Sequence, residues 1–487
     1  MKRSTPLLFV AVVAPALASV TCTSKGDDAP KLTRAELLDP TACKGCHEDH
    51  FREWSGSMHA YAADDPVFLA MNARGQRETK GELGSFCVGC HAPMAVREGA
   101  TKDGLNLASV PASLKGVTCF FCHAADKVEG THNNPLHVAD DNVMRGELAD
   151  PVENTAHRAA YSSLHDRDRA ESSSLCGACH DIVTNHGAHI ERTFREWKES
   201  VFSTPGGATC SQCHMEQSAN LVPIAQAPGV FSRRFKGHTF AAVDVALTPF
   251  PEKEAQRKKI KELLDSTMQT ALCVSNQGSS TAIRVLADNV SAGHAFPSGS
   301  SQDRRLWAEV VAFNEGKVLY QSGVVPDGGV VTKLADPDLW LVRDCIFDAS
   351  GKEVHMFWEA ASFESNTFPG QATFDRLDRR FYQHFYQPFP RTGTFAGAPD
   401  RVTLRIRLQP IGLDILDDLI ATGDLDPNVR ASMPSFDLGE TGTLEWTLAS
   451  ATERYLEDRT PFQCVSTTAL AVGADKVPAS RRLRCAP

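Results

Sequence analysis

Cys43-Lys44-Gly45-Cys46-His47 is the first of five segments in which two cysteines, three residues apart, are followed at once by a histidine. The other four segments are residues 87–91, 119–123, 176–180 and 210–214. At this composition, chance predicts about 0.02 copies of the pattern. The five copies therefore express a repeated structural requirement, and this requirement decides the fold of the first half of the chain.

The pattern is the attachment signal for haem c. Two thiols at this spacing reach both vinyl groups of one porphyrin, and the adjacent imidazole lies under the ring as an iron ligand. The sequence therefore predicts five haem c groups as the cofactors. The predicted attachment residues are Cys43, Cys46, Cys87, Cys90, Cys119, Cys122, Cys176, Cys179, Cys210 and Cys213. The predicted proximal iron ligands are His47, His91, His123, His180 and His214.

Zinc is the main competing interpretation of these cysteines. A structural zinc site needs four ligands around one ion, so each cysteine pair would combine with a second pair or with a distant pair of histidines. Five pairs that each carry an adjacent histidine do not fit that requirement. Haem is therefore the favoured cofactor.

The amino terminus resembles an export signal. Lys2 and Arg3 precede an apolar run over residues 6–18, which is too short to span a membrane. Two cleavage sites compete, one after Ala18 and one before Cys22, which would then carry a lipid. We expect a periplasmic or cell-surface protein, with Cys22 as a possible anchor to the membrane surface.

Five cysteines lie outside the five motifs, and lipidation of Cys22 would leave four of them, namely Cys273, Cys345, Cys464 and Cys485. An even number of cysteines in an oxidising compartment predicts two disulfides, with three alternative pairings. The formal charge of −10 argues against a nucleic-acid partner, which usually requires a basic surface. The oligomeric state is left open.

The hydrophobic pattern divides the chain. A polar tether is predicted at 23–38, and a haem domain of short helices and loops at 39–245. A linking amphipathic helix follows within 246–274, with its apolar face running from Ile260 to Leu272. Residues 275–487 are expected to form a β-sandwich-like domain with a helical insertion at 412–432. Its predicted strands are 281–290, 304–313, 316–323, 339–348, 402–408 and 444–448.

A short internal repeat lies inside the haem domain. Phe51-Arg52-Glu53-Trp54-x-x-Ser57 recurs as Phe194-Arg195-Glu196-Trp197-x-x-Ser200. Each copy follows a haem motif, so we expect two equivalent helices beside equivalent haems. His59, two residues after Ser57, has Phe202 as its counterpart, so only the first copy offers a ligand.

Together these motifs resemble those of the multihaem cytochrome c superfamily, over most of residues 40–240. The resemblance rests on Trp54-x-x-Ser57-x-His59, Cys87-x-x-Cys-His91-Ala92-Pro93, Gly116-Val117-x-Cys119, Cys176-Gly177-x-Cys179-His180-Asp181 and Cys213-His214-Met215. In the second half, Gly293-His294-x-Phe296-Pro297-Ser298-Gly299 resembles a motif of the carboxy-terminal β-domain of relatives. No Cys-x-x-Cys-Lys occurs in the chain, so the lysine-ligated catalytic haem of pentahaem nitrite reductases is not expected.

The resemblance implies distal iron ligands as well. His59, His157, His238 and His294 match positions at which relatives supply a second imidazole. His132, His137, His165, His186 and His189 are alternatives for this role, whereas His50, His355 and His384 are expected in solvent.

Two functions from different classes follow from these motifs. The favoured one is electron transfer between redox partner proteins through haems with two imidazole ligands, since a filled iron offers no position for a substrate. The alternative is an enzyme that acts on a small nitrogen or sulfur compound at one five-coordinate haem, with Arg158, Arg167 or Arg169 attracting an anion. No catalytic residue is assigned. The β-domain is expected either to dock a partner or to cover haem edges.

Overall fold

The computed structural model describes residues 32–375, 378, 385–455, 461–467 and 483–485. The export signal, Cys22 and His384 lie outside these residues, so their predicted roles stay predictions. In the described part of the chain, no helix is long and apolar enough to cross a membrane.

Most of the helices are short. They are α1 (Arg34–Leu38), α2 (Glu48–Ser55), α3 (Met58–Tyr61), α4 (Pro66–Glu78), α5 (Val88–His91), α6 (Pro93–Arg97), α7 (Cys119–Ala124), α8 (Ser173–Gly177), α9 (Thr193–Glu199), α10 (Cys210–His214), α11 (Lys253–Thr267), α12 (Leu413–Ala421) and α13 (Pro427–Ala431). Single 3₁₀ turns lie at Pro40–Cys43, Leu107–Ser109, Ala112–Leu114, Ala170–Ser172, Val201–Ser203, Val331–Lys333 and Phe357–Glu359.

The first half of the chain also contains four small two-stranded sheets. Their strands are β1 (Ala125–Val128) with β2 (Leu136–Val138), β3 (Val143–Gly146) with β4 (Arg158–Tyr161), β5 (Ile182–Val183) with β6 (His189–Glu191), and β7 (Gln217–Pro223) with β8 (Ser232–Lys236). Helices α1 and α4–α7 pack a small buried cluster around Phe68, Met94 and Phe120, but elements this short leave most of the interior unfilled. They surround a large internal cavity, as expected for a domain whose interior is filled by haem.

The two copies of the internal repeat form equivalent helices, as predicted. The indole of Trp54 in α2 donates to the carbonyl of Val117 at 2.8 Å, and the indole of Trp197 in α9 donates to the carbonyl of Ala208 at 2.8 Å. Each of these carbonyls lies two residues before the first cysteine of a haem motif. The repeat therefore fastens the helix after one motif to the start of another, the third motif in one case and the fifth in the other.

Replacing Trp54 by phenylalanine should lower the free energy of unfolding by about 2 kcal/mol, because the Val117 carbonyl loses its donor and a small cavity forms. Urea denaturation followed by haem absorbance measures this change. Trp358→Phe is the matched control, because the Trp358 indole donates to the exposed carboxylate of Glu78, where water can replace it. Equal losses in the two variants would contradict the role of the Trp54 contact.

The predicted linking helix is shorter than the sequence indicated. α11 ends at Thr267, and Met268 begins β9 (Met268–Asn276). Ile260 and Leu264 are buried on the apolar face of α11 as expected, but Met268 and Leu272 belong to the strand. Residues from Met268 onward form a strand because β9 pairs with β10 on one edge and with β23 on the other. This tertiary pairing overrides the helical period of the sequence. The domain boundaries at 245 and 275 stay predictions.

The second half is a β-sandwich, which confirms the predicted fold class. Further strands are β10 (Ser280–Asn289), β11 (Arg305–Asn314), β12 (Lys317–Ser322), β13 (Trp340–Val342), β14 (Asp344–Phe347), β15 (Glu353–Val354), β16 (Ser362–Ser365), β17 (Phe385–Phe389), β18 (Phe395–Ala396), β19 (Arg401–Gln409), β20 (Phe436–Asp437), β21 (Leu444–Thr447), β22 (Thr452–Tyr455) and β23 (Pro461–Ser466).

Two antiparallel sheets face each other across its core. One has the order β17-β10-β9-β23-β22, with β18 beside β10, and the other has the order β12-β11-β19-β20, with β13 beside β11 and β21 beside β19. A third, small sheet has the order β15-β14-β16. Alternate residues of β19 are buried, as the period of two predicted, but Leu448 is outside β21 and 71% exposed. The helical insertion at 412–432 is present as α12 and α13.

Two disulfides join the four predicted cysteines. The structure selects Cys273–Cys464, between β9 and β23, and Cys345–Cys485, between β14 and the carboxy-terminal segment. The first bond connects neighbouring strands whose cysteines are directly opposite in the ladder. The sequence could not select among the three cysteine pairings, because it does not show which strands lie side by side in the folded chain.

The sandwich and the first half share one core. Val67 and Ala70 of α4 pack in the same buried cluster as Leu306, Val402 and Leu404 of the sandwich. The segment between β10 and β11 runs from the sandwich to the large cavity and carries the Gly293–Gly299 motif. The second half therefore supplies part of the cavity wall.

Candidate haem sites

One continuous open cavity, with about 5500 Å³ of empty space that includes open solvent, is lined mainly by the first half of the chain. All ten motif cysteines and all five motif histidines line it. Nine of these cysteines are free thiols. Cys46 is held in a disulfide, a bond that thioether attachment at the first motif would have to replace. The attachment roles stay predictions that this common location supports.

Four of the motif histidines have the same orientation. Their Nδ1 atoms lie within hydrogen-bond distance of backbone carbonyls, which can accept only from a protonated nitrogen. Such a contact fixes the tautomer and leaves Nε2 free as a metal ligand. The pairs are His47 with Ile224 at 3.2 Å, His91 with Ala62 at 3.0 Å, His123 with Arg145 at 2.6 Å, and His214 with Ala241 at 2.8 Å.

Each of the four predicted distal histidines faces a different motif histidine. Metal–imidazole bonds are about 2 Å long and a ring centroid lies about 1 Å beyond its nitrogen, so two imidazoles on one metal ion have centroids about 6 Å apart. The observed centroid distances are 6.4 Å for His47–His157, 6.3 Å for His59–His180, 6.4 Å for His123–His238 and 6.4 Å for His214–His294. The separations therefore fit one iron between each pair.

The distal candidates have oriented rings as well. Nδ1 lies 3.1 Å from a backbone carbonyl in His157, 2.9 Å in His238 and 2.7 Å in His294. Burial lowers the pKa of His238 and of His294 to about 4, and that of His59 to about 3. Neutral imidazoles with free Nε2 atoms are the form that binds iron.

Gly116 fixes the segment that carries His59. Its φ is +71°, and a Cβ atom on it would lie 2.6 Å from the His59 carbonyl oxygen. The next residue, Val117, donates its N–H to that same carbonyl at 2.8 Å. A glycine is therefore needed where the segment before the third motif packs on helix α3, which presents His59 toward His180 of the fourth motif.

The second motif differs from the other four. Among the described residues, no imidazole ring faces that of His91, and Phe68 of α4 is stacked on it at 4.0 Å with the rings 3° from parallel. Glu191 and Asp244 lie close enough to act electrostatically on His91. The sequence left open whether every haem has a second imidazole. The geometry indicates that a haem at residues 87–91 is the one without it.

The remaining histidines are placed as follows. His165 stacks on His123 at 5.6 Å, but its Nε2 lies 2.8 Å from the Cys122 carbonyl, so His238 is the better placed ligand. His50 is not in solvent as expected, because it packs at 4.3 Å against Phe235 and burial lowers its pKa to about 2. The ring centroids of His132 and His189 also lie 6.4 Å apart, but neither histidine belongs to a haem motif. His137 pairs with Asp126, and His186 is exposed.

The arginines proposed to attract an anion are engaged elsewhere. Arg158 donates to the Asp141 carbonyl, Arg167 to the carbonyls of Met215 and Gln212, and Arg169 pairs with Glu171. Arg304, which the sequence did not single out, lies instead near the second haem site. Its signal was its position just after the Gly293–Gly299 motif.

Comparison with known proteins identifies a matching family and a solved structure with a similar fold. Residues 42–124 match the family described as "Cytochrome c554 and c-prime". No curated protein matches the chain. Among solved structures, a penta-heme cytochrome c552 from Thermochromatium tepidum matches with a TM-score of 0.57 and 17% identity, over 85% of this chain and 99% of that one. At this identity the likeness concerns the fold.

Proposed function

We propose that this chain, a member of the multihaem cytochrome c superfamily, is an exported pentahaem electron carrier in which four irons have two imidazole ligands. The observation that carries the proposal is the set of four facing histidine pairs at 6.3–6.4 Å around one cavity. Haem bound there supplies a reversible one-electron couple. Because two imidazoles would hold each of these four irons, no position would remain for a substrate, and the chemistry supplied would be electron transfer alone.

Contacts between cysteines of different motifs indicate the order of the haems. Thiol contacts join Cys43 with Cys119, Cys176 with Cys210, and Cys90 with Cys179. These contacts place the first motif beside the third, the fourth beside the fifth, and the second beside the fourth. Cys122 also acts electrostatically on Cys176, which connects the third motif with the fourth. These contacts therefore support an electron-transfer route through the haems of the first, third, fourth and fifth motifs, with the haem of the second motif as a branch.

The intact mass of the mature protein and its reduction by dithionite test this proposal. We expect a mass that includes five haems, and spectra in which all five change oxidation state. The reduced protein should then transfer electrons to an oxidised redox protein. A colourless product, or the mass of the bare polypeptide after expression with a working maturation system, would contradict the proposal.

One observation favours a second candidate function. His91 lacks a facing imidazole among the described residues, so a haem attached at residues 87–91 could bind a small molecule. The second candidate is thus an oxidoreductase in which the other four haems carry electrons to or from this site. Redox partner proteins are expected for both functions, and the docking role of the β-domain stays a prediction.

A further inference from the structure

The cavity wall near His91 holds an unusual group of charged residues. These residues, which all line the cavity, are Glu191, Asp244, Asp303 and Arg304. The other three act electrostatically on Asp303. Glu191 also acts on both His91 and Cys87, which belong to the second haem motif. We call Glu191, Asp244, Asp303 and Arg304 the acidic wall.

The fold brings these residues from three distant parts of the chain. Glu191 ends β6, Asp244 follows the segment that carries His238, and Asp303 and Arg304 precede β11 of the sandwich. Ser300 donates to the Glu191 carboxylate at 2.6 Å and fixes its direction. The acidic wall is therefore built by the contact between the two halves of the chain.

The environment of Asp303 indicates that the cavity binds a ligand. The residue is only 3% exposed, and its Oδ1 has no hydrogen-bond partner. A buried polar atom without a partner costs about 1–3 kcal/mol, so such atoms usually meet a ligand or water. Burial raises the pKa of Asp303 to about 7, which allows this carboxyl group to hold a proton at neutral pH.

The guanidinium of Arg304 does not cancel the negative charge of the acidic wall. Its Nη2 pairs with Asp244 at 2.7 Å, its Nη1 also contacts Asp244, and Nη1 donates to the Pro410 carbonyl at 2.8 Å. Asp244 and Arg304 thus form a neutral pair. Arg305, which also acts on Asp303, is likewise paired, with Asp414. Glu191 and Asp303 are therefore the carboxyl groups of the acidic wall that no guanidinium binds, and in their ionised form they repel an anion in the cavity.

We propose that the acidic wall admits an uncharged or cationic small ligand to the second haem and excludes anions, with Glu191 and Asp303 as hydrogen-bonding partners of that ligand. This inference rests on the proposed function, since it requires haem at residues 87–91. It replaces the expectation from sequence that arginines attract an anion.

Two probes of opposite character test the charge preference in the full-length holoprotein. Carbon monoxide is an uncharged ligand for the reduced protein, and azide is an anionic ligand for the oxidised protein. We expect carbon monoxide to change the absorption of one haem in five and azide to bind weakly. In Glu191→Gln and Asp303→Asn, azide affinity at about pH 8.5, above the pKa of Asp303, should rise about tenfold, because one charge roughly 10 Å away is removed at an effective dielectric constant of about 20.

Glu199→Gln is the matched control, because Glu199 is an exposed carboxylate that pairs with Arg195 on α9. It should leave azide affinity unchanged, and carbon monoxide affinity should change less than about threefold in all variants. Wild-type azide affinity equal to that of both acid variants would overturn the inference, as would a protein in which carbon monoxide binds no haem. Should one acid variant attach fewer than five haems, the other decides.

The same samples separate this inference from the proposed function. Dithionite reduction reports all five haems independently of ligand binding. If all five haems reduce normally but the charge preference is missing, only this inference is contradicted and the proposed function stands. Haems that do not reduce would contradict the proposed function.

Discussion

Replacing His294 by methionine is expected to raise one of the five midpoint potentials by about 100 mV or more, because a thioether ligand stabilises reduced iron relative to an imidazole. His294 faces His214 at 6.4 Å and reaches the cavity from the sandwich. The changed potential should therefore be that of the fifth haem. Spectroelectrochemical titration of the purified protein measures all five potentials.

His186→Met is the control for this substitution. His186 is exposed and follows the fourth motif, so the same change of residue type there should leave every potential in place. If His294→Met also leaves all five potentials unchanged, His294 does not bind iron, and the assignment of the other three facing pairs would lose its basis.

Preventing haem attachment should unfold the first half of the chain and leave the sandwich folded. The short helices of the first half surround a large open cavity, and helices of this length are unstable without a packed partner. The sandwich supplies most of the buried cluster that it shares with α4 and α11, and it contains two disulfides. Hydrogen exchange of protein made without a haem maturation system measures this difference.

In that experiment, amides of β10, β11 and β19 should keep slow exchange, whereas those of α2, α7 and α10 should exchange as in an unfolded chain. Holoprotein made in parallel is the control, and there both groups should be protected. Slow exchange of α2, α7 and α10 in the haem-free protein would show that polypeptide packing alone maintains the first half.

Local patterns predicted much of the fold. The period of two identified β19, and the alternation in it is visible in the burial of Val402, Leu404 and Ile406. The period of 3.6 identified α11 but extended it to Leu272. The reason is that β9 follows directly, and its buried residues Met268 and Leu272 continue the apolar pattern of the helix. Sequence periodicity does not show where a helix gives way to a strand that shares its core.

The motif histidines could be named from the sequence, but their partners could not be paired. His59 faces His180 from 121 positions earlier, and His294 faces His214 across the boundary between the two halves. Such distances along the chain carry no periodic signal. The acidic wall was missed for the same reason, since Glu191 and Asp303 become neighbours only when the sandwich packs on the first half.

Quantitative electron paramagnetic resonance of the oxidised full-length protein tests the central claim most directly. The facing pairs predict four low-spin irons with two imidazole ligands and one iron, attached at residues 87–91, without a second imidazole. A spectrum in which fewer than four irons have the bis-imidazole signature, or in which all five do, would contradict the account.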